Sequence, residues 1–434
     1  MLSKEDNELL TQVGPETPMG QLFRRFWLPA MLSGELPDPD GEPVRLRLLG
    51  EDLITFRDSD GRVGCIDAYC PHRGAALFFG RNEENGLRCI YHGWKFDVNG
   101  DCVHMPNCVE GESYSQKLKI TAYPAVEGGG LVWFYMGPPE KMPPPPGFEW
   151  FHLPKSHTSA AKYIYHSNYM QALEGDFDPS HGAFLHATLN NNRNNPANRF
   201  AGTARVGQPI GVEPGYQPPQ VEALDYEVGV GQRRTGGTGM RATNAMLGAN
   251  IPQAGRGRPT WMMPCFDAAG IGPGTYPLNI KVPADDENTI YFRVRWSDTP
   301  LTEAQLWELR VGGLVNPAVE PGTFLYRDNI FNDYAMDRIK QKHFNFSGLP
   351  QTAVQDTAMQ ENQWGPVSKR WKEHLVSSDK IIIRVRQRLL STARALAQGK
   401  EPAEPWNPEG YRYLAPPEEG RVDEDVPLPV SMIS

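Results

Sequence analysis

The sequence lacks a long uncharged apolar run, and so it lacks a candidate membrane-spanning helix. Positive charge is in deficit: 43 lysines and arginines face 52 aspartates and glutamates, a net charge of -9 that argues against nucleic acid as a default partner. Cysteine is scarce as well, because six in 434 residues are too few for a disulfide scaffold. The polar first stretch has no signal-peptide core. We therefore expect a cytoplasmic protein that binds neither membrane nor nucleic acid.

A dinucleotide-binding fingerprint is also missing. Gly229 and Gly231 would supply two of its glycines, but Arg234 stands where the third is needed. No strand, glycine-rich turn and helix surround these residues. The sequence therefore offers no site of its own for NADH.

Glycine and proline are abundant, with 43 and 40 residues, which indicates many loops and much β-structure. Between residues 43 and 142, short strand patterns alternate with turn signals, which is typical of a small antiparallel domain. Residues 1–42 are predicted to form helices that pack on the body. Four prolines at 143–146 read as a linker. The predicted fold class is α+β, with a larger domain at 147–434 that combines an antiparallel sheet, flanking and C-terminal helices, and a tail.

Three local expectations can be compared with the structure. A helix that starts at Thr17 is predicted to carry Trp27 on its apolar face and to be stopped by Pro29. Residues Thr289–Trp296 alternate between apolar and polar and predict a central strand. A helix capped at Ser378 is predicted to turn its arginines outward.

Two tightly spaced Cys–His pairs are the most informative feature of the sequence. Cys70 and His72 form the first pair, and Cys89 and His92 form the second. Such a set could hold a structural zinc ion, or a Rieske [2Fe–2S] cluster with both cysteines on one iron and both histidines on the other. Zinc sites usually pair like with like, whereas each pair here is mixed. The mixed pairs favour the cluster, because each loop must then reach both irons.

A second group of candidate ligands follows the proline linker. His181 and His186 are five residues apart, and Asp178 lies close by. Non-haem Fe(II) oxygenases hold their iron with two histidines and one carboxylate, which leaves positions open for dioxygen. Alone, the two histidines would more often be surface or hydrogen-bonded residues than iron ligands. The cluster motif upstream favours an iron site.

Polar residues recur at helical spacing just before these histidines. Asn168, Gln171, Glu174 and Asp178 are three or four residues apart, so they share one helix face. This face could be exposed to solvent, or it could form a hydrogen-bonded network around a buried iron.

Both motifs resemble those of one known family. The stretch CPHRGAALFFGRNEENGLRCIYHGWKFD, residues 70–97, resembles the Rieske domain of aromatic-ring-hydroxylating oxygenases. Residues 168–186 resemble the catalytic motif of the same family, Asn-x-x-Gln-x-x-Glu-Gly followed by Asp-x-x-His and a second His. The length, a Gln-Asp motif at 355–356 and a long C-terminal extension most resemble the phthalate dioxygenase branch, which implies the oxygenase (alpha) component.

The resemblance implies a role for each motif. Cys70 and Cys89 would bind one cluster iron, and His72 and His92 the other, at an exposed tip. A mononuclear Fe(II) would be held by three residues, which are His181, His186 and Asp356. Glu361 is the alternative carboxylate ligand.

The resemblance also implies an electron path between subunits. Asp178 and Asn168 are the predicted catalytic residues, and Asp178 would link the iron ligand of one subunit to a cluster histidine of its neighbour. The implied assembly is a head-to-tail homotrimer, alone or stacked on a second trimer. Electrons would come from a separate flavin- and ferredoxin-type NADH-dependent reductase.

The implied reaction is cis-dihydroxylation of an aromatic carboxylate, a phthalate isomer or a substituted benzoate, with dioxygen. Monooxygenation or O-demethylation of a similar acid is the alternative. Arg205 and Arg241 are predicted to bind the substrate carboxylate, because a buried arginine can form two parallel hydrogen bonds with it.

Overall fold

A computed structural model of the chain describes residues 2–109, 114–187, 220–235, 259–268 and 274–414. Seventeen strands and seven α-helices in these ranges confirm the predicted α+β class. None of the helices in the described ranges has both the length and the apolar character needed to cross a membrane. The domain boundaries given above stay predictions.

Three small antiparallel sheets lie in the first third of the chain. Their orders are β1-β10-β9, β2-β3-β4 and β5-β6-β7-β8. The strands are β1 (Trp27–Leu32), β2 (Val44–Leu48), β3 (Glu51–Arg57), β4 (Val63–Asp67), β5 (Arg81–Glu83), β6 (Gly86–Arg88), β7 (Lys95–Phe96), β8 (Cys102–His104), β9 (Ala125–Gly128) and β10 (Leu131–Tyr135). A separate apolar cluster contains Ile54, Phe56, Leu87 and Phe96, and both Cys70 and Cys89 belong to it.

A seven-stranded antiparallel sheet forms the centre of the rest of the chain, in the order β11-β17-β16-β15-β14-β13-β12. Its strands are β11 (Thr158–Tyr165), β12 (Gln220–Tyr226), β13 (Gly229–Thr235), β14 (Trp261–Met262), β15 (Phe266–Asp267), β16 (Tyr276–Pro283) and β17 (Thr289–Trp296). β17 lies between β11 and β16, which confirms the expected interior strand.

Seven helices in the described ranges accompany this sheet, and one of them carries the candidate ligand Asp356. They are α1 (Lys4–Thr11), α2 (Pro18–Phe23), α3 (Tyr169–Phe177), α4 (Glu303–Leu309), α5 (Arg338–His343), α6 (Thr352–Gln360) and α7 (Lys380–Ala397). The side chains of Ser3, Thr17 and Asn168 accept backbone hydrogen bonds at the N-termini of α1, α2 and α3.

The expectation that Trp27 lies on a helix is wrong. Helix α2 ends at Phe23, and Trp27 begins strand β1, where it is paired with Tyr135 of β10. Pro29 is inside the strand rather than at a helix end. Among the strands of the described ranges, β1 pairs with β10 alone, so it is an edge strand, a position where a proline is tolerated.

The arginines of α7 do not all face outward, which corrects another expectation. Arg386 is 3% exposed and binds the carboxylates of Glu174 and Glu373. Arg388 is 7% exposed, and its guanidinium donates to backbone carbonyls that include that of Gly229. Both arginines are buried because each has a set of acceptors that satisfies its charge and N–H groups.

The two faces of the large sheet differ in character. Ile290, Phe292 and Val294 of β17 point into the main apolar core. Successive side chains of a strand alternate between faces, so Tyr291 and Arg293 point to the opposite face. That opposite face forms one wall of the site described next.

Candidate metal centres

The two Cys–His loops have the same backbone hydrogen-bond pattern. In the first loop, the N–H of Cys70 donates to the carbonyl of Ala75, and the N–H of Gly74 donates to that of Cys70, each at 2.8 Å. Gly74 has a φ of 70°, a left-handed conformation that glycine adopts without a Cβ clash.

The second loop repeats these contacts. The N–H of Cys89 donates to the carbonyl of Trp94 at 2.8 Å, and the N–H of Gly93 donates to that of Cys89 at 2.9 Å. Gly93 has a φ of 78°. Two similar turns therefore present one cysteine and one histidine each, as the mixed spacing predicted.

The histidines of the two loops face each other. The ring centroids of His72 and His92 are 4.4 Å apart, and His72 stacks on Trp94 at 4.5 Å. The Nδ1 atom of His72 is buried and has no hydrogen-bond partner in the described ranges. An imidazole nitrogen in that position is suited to binding a metal.

The cysteines of the loops are buried free thiols, with Cys70 2% and Cys89 3% exposed. Burial, together with the neighbouring Cys89, raises the pKa of the Cys70 thiol to about 11. A thiolate in this place needs positive charge beside it, which metal ions supply. The donor set therefore fits an iron–sulfur cluster.

A second centre is formed by residues from two distant segments. His181, His186 and Asp356 each offer one ligand atom, and these atoms all lie within 4.8 Å of one another. The Oδ1 atom of Asp356 is 3.6 Å from Nε2 of His181 and 3.2 Å from Nε2 of His186. Two imidazoles and one carboxylate in this arrangement could hold a single Fe(II).

Local structure explains how the two histidines reach this centre. Helix α3 ends at Phe177, and a short 3-10 turn begins at His181. Between them, Oδ1 of Asp178 accepts hydrogen bonds from the backbone N–H and the hydroxyl of Ser180, at 2.7 and 2.8 Å. The other oxygen, Oδ2, faces Nδ1 of His181 at 3.6 Å, which is longer than a hydrogen bond.

The charges of the centre reinforce one another. Burial acts to lower the pKa of His181, but Asp178 and Asp356 outweigh it and raise that pKa to about 9. Burial acts to raise the pKa of Asp356, but His186 and His181 hold it below its ordinary value. The carboxylate is therefore available as an anionic ligand.

Glu361, the alternative ligand, is engaged elsewhere. Its Oε1 accepts from the backbone N–H of His166 at 2.7 Å, and its Oε2 accepts from the hydroxyl of Tyr334 at 2.6 Å. The structure brings Asp356, rather than Glu361, to the two histidines.

The polar face of α3 is buried, so the solvent-exposed reading is wrong. Asn168 donates to the carbonyls of Thr11 and Asp286, and its predicted catalytic role stays a prediction. Gln171 donates to the carbonyl of Gln360 at 2.7 Å. These contacts join α3 to other segments instead of surrounding the candidate ligands. Arg205 and Arg241, the predicted carboxylate anchors, lie outside the described residues.

A cavity of about 230 Å³ opens onto the second centre and includes all three of its candidate ligands in its lining. Two cationic side chains that the sequence reasoning missed, Lys281 and Arg293, also line it. The sequence does carry a signal for this cationic face. Asn279 and Lys281 alternate with apolar residues along one strand, and Tyr291 and Arg293 do so along the next.

Comparisons with known proteins agree with both centres. Residues 26–124 match the Rieske [2Fe-2S] domain family, and residues 268–409 match the family described as LigXa C-terminal domain like. The chain is 36% identical to the phthalate 4,5-dioxygenase oxygenase subunit of Pseudomonas putida over 92% of this chain and 88% of that one. It is 34% identical to the 3-chlorobenzoate-3,4-dioxygenase oxygenase subunit of Comamonas testosteroni, over 96% of both chains.

The fold also matches a solved structure, that of the reduced complex between oxygenase and ferredoxin in carbazole 1,9a-dioxygenase. The TM-score is 0.58 at 20% identity, over 92% of this chain and 98% of the other.

A protein with this fold and these two centres is an oxygenase of the Rieske type, in which one chain carries both a [2Fe–2S] cluster and a mononuclear iron. The chain belongs to the Rieske non-haem iron aromatic-ring-hydroxylating oxygenases, as an oxygenase component of the phthalate dioxygenase branch.

Proposed function

We propose that the protein cis-dihydroxylates a single-ring aromatic carboxylate as the oxygenase component of a multicomponent system. The observation that carries this proposal is the cavity of about 230 Å³ that opens directly onto His181, His186 and Asp356. Sites for drug-sized ligands measure roughly 300–1,000 Å³, so this one suits a single ring better than a fused ring system. The two relatives named above are called dioxygenases of phthalate and of 3-chlorobenzoate.

Each residue has one task in this proposal. Cys70, Cys89, His72 and His92 hold the cluster. The mononuclear iron is held by the side chains of His181, His186 and Asp356. The cluster supplies single electrons and the mononuclear iron supplies dioxygen activation when both are bound.

The remaining chemistry belongs to the protein. Gln355 orients the ring of His186 through a hydrogen bond, and Asp178 places a negative charge opposite the ring of His181. The cavity places the ring of the substrate beside the open side of the iron site and limits the water that can enter. The overall reaction consumes the aromatic acid, one dioxygen, two electrons and two protons, and it gives a cis-dihydrodiol that contains both oxygen atoms.

The electrons come from a separate reductase. A ferredoxin partner is named in the complex of carbazole 1,9a-dioxygenase. We further propose that the chains form a head-to-tail trimer, in which Asp178 of one subunit contacts a cluster histidine of the next. A ring of identical heterologous contacts closes in this way.

Product analysis tests the reaction. Iron-loaded protein reduced with dithionite is mixed with ¹⁸O₂ and, in turn, phthalate, 3-chlorobenzoate, benzoate or a methoxybenzoate. The proposal predicts a dihydrodiol that carries two ¹⁸O atoms. A phenolic product with one ¹⁸O, or formaldehyde from a methoxybenzoate, would show monooxygenation or O-demethylation instead. Absence of any oxygenated product from all these acids would contradict the proposal.

A further inference from the structure

The cavity has one cationic wall, which is built from two neighbouring strands. Lys281 of β16 is directly paired with Tyr291 of β17, and Asn279 is paired with Arg293. Residues two apart on a strand share a face, so these four side chains point to the same side of the sheet. All four line the cavity that holds the iron-binding residues.

Lys281 is fully buried and only partly neutralised. Its Nζ lies 3.3 Å from Oδ2 of Asp176 and 3.1 Å from the centre of the Tyr291 ring. The same Asp176 oxygen also accepts a hydrogen bond from Asn279 at 3.1 Å. No group in the described part of the chain forms a hydrogen bond of good geometry with Nζ. A buried ammonium normally has more acceptors than this.

Arg293 is the second cation and has even less compensation. One terminal N–H group donates to the backbone carbonyl of Val315 at 2.9 Å. The Nε atom is buried and has no hydrogen-bond partner among the described residues. No carboxylate in those ranges lies within ion-pair distance of the guanidinium. An arginine presents its donors in a planar fork that matches the two oxygens of a carboxylate.

On this wall of the cavity, the positive charges of the described side chains therefore exceed the negative ones. Lys281 and Arg293 contribute two positive charges, and Asp176 contributes one negative charge. Asp356 also lines the cavity, but its carboxylate faces the histidines of the metal centre. Among the described residues of this wall one positive charge is left, and one substrate carboxylate would neutralise it.

We propose that Arg293 binds the carboxylate of the aromatic substrate, with Lys281 beside it as a second cationic contact held in place by Asp176. The assignment rests on the proposed function, because it names the part of that site that selects an acid. Carboxylate binding by Arg293 turns the ring toward the candidate iron ligands. It disfavours neutral aromatic compounds, which would leave the guanidinium without a carboxylate partner. Arg293 is thus a specificity-determining residue, and it lies far in sequence from both predicted anchors.

Equilibrium binding to the iron-loaded protein without oxygen tests this assignment. The probes are phthalate, 3-chlorobenzoate and benzoate, each with its methyl ester. The variant Arg293→Met should weaken binding of the best acid by about 10- to 100-fold, because a hydrogen bond to a charged group is lost. Binding of the ester should change by less than about threefold. Lys281→Met should also weaken binding of the acid, and Arg293→Lys should keep part of the affinity that Arg293→Met loses.

The control separates this role from a general effect of removing a buried cation. Lys162 is 7% exposed, lies on β11 of the same sheet and pairs with Glu35 at 2.9 Å, but it does not line the cavity. Lys162→Met should change the affinities for acid and ester equally. All variants are compared at equal iron and sulfide content.

The outcomes distinguish failure of the Arg293 assignment from failure of the proposed function. If the wild-type protein binds an acid and Arg293→Met binds it equally well, the Arg293 assignment is overturned and the proposed function stands. The same holds if acid and ester lose affinity together. If the wild-type protein binds none of the acids, the proposed function fails, and the assignment fails with it.

Discussion

The Nδ1 atom of His186 lies 2.7 Å from the Oε1 atom of Gln355, the residue that precedes Asp356. The Nε2 group of Gln355 donates to the carbonyl of Leu349 at 3.1 Å, which fixes the amide so that Oε1 is the acceptor. Nδ1 of His186 therefore carries the proton, and Nε2 is left with its lone pair directed at the metal centre. One short segment of α6 thus supplies both a candidate ligand and the residue that orients another candidate ligand.

Replacing Gln355 should weaken the mononuclear site alone. In Gln355→Leu, His186 loses its hydrogen-bond acceptor, and we expect the affinity for Fe(II) to fall by about 10- to 100-fold. Equilibrium dialysis with Fe(II) measures this change. Gln355→Glu keeps an acceptor oxygen and serves as the control. Unaltered Fe(II) affinity in Gln355→Leu would show that the contact does not orient His186.

Asp356→Ala should empty the mononuclear site and leave the cluster intact. The iron content is expected to fall from three to two atoms per chain while the sulfide content stays at two, because each Rieske cluster contains two of each. Glu361→Gln is the matched control and should keep all three irons. The reverse result, with the third iron retained in Asp356→Ala and lost in Glu361→Gln, would transfer the ligand role to Glu361.

Asp178→Asn should slow electron transfer without removing either metal. The charge facing His181 at 3.6 Å is lost, and we expect the single-turnover rate to fall by about 10- to 100-fold. Rapid mixing of reduced protein with substrate and oxygen measures this rate. Asp225→Asn, which changes an exposed residue paired with Arg384, should behave as wild type. Unchanged single-turnover kinetics in Asp178→Asn would exclude the bridging role.

Glu174 is predicted to contribute strongly to stability. It is buried with Arg370 at 3.0 Å and Arg386 at 2.6 Å. Glu174→Gln would leave two arginines without their shared carboxylate, and we expect a loss of about 3–5 kcal/mol in the free energy of unfolding at pH 7. Urea unfolding measures the loss. Glu222→Gln, at an exposed ion pair, should change stability by less than about 0.5 kcal/mol.

The contribution of Glu174 should also depend on pH. Burial acts to raise the pKa of Glu174, but the two arginines outweigh it and hold the pKa below its ordinary value. A depressed folded-state pKa stabilises the protein fully above the unfolded value of about 4.3, and the effect is lost as pH falls through the folded value. The stability difference between wild type and Glu174→Gln should therefore shrink below about pH 4.3. A constant difference on acidification would contradict this account.

Most of the candidate metal ligands could be found in the sequence because they lie in short motifs. Cys70 and His72, and likewise Cys89 and His92, need only a tight turn to come together. Asp356 lies 170 residues after His186 and 175 residues after His181, and only the resemblance to a family pointed to it.

The cationic wall and the buried arginines could not be predicted in the same way. Alternation in a strand shows that Lys281 and Arg293 share one face, but a polar face is normally exposed to solvent, and the covering segments come from elsewhere in the chain. The local pattern predicts that Arg386 faces solvent, because its partner Glu174 lies 212 residues earlier in the chain. Local patterns give the face of an element, whereas the partner of that face is set by tertiary packing.

Metal and acid-labile sulfide analysis of anaerobically purified protein, together with its visible spectrum, tests the central claim most directly. The two centres predict three irons and two sulfides per chain in a brown protein, with two irons in the Rieske cluster and one at His181, His186 and Asp356. One zinc and no sulfide would contradict this account, because the electron relay that the oxygenase needs would then be absent.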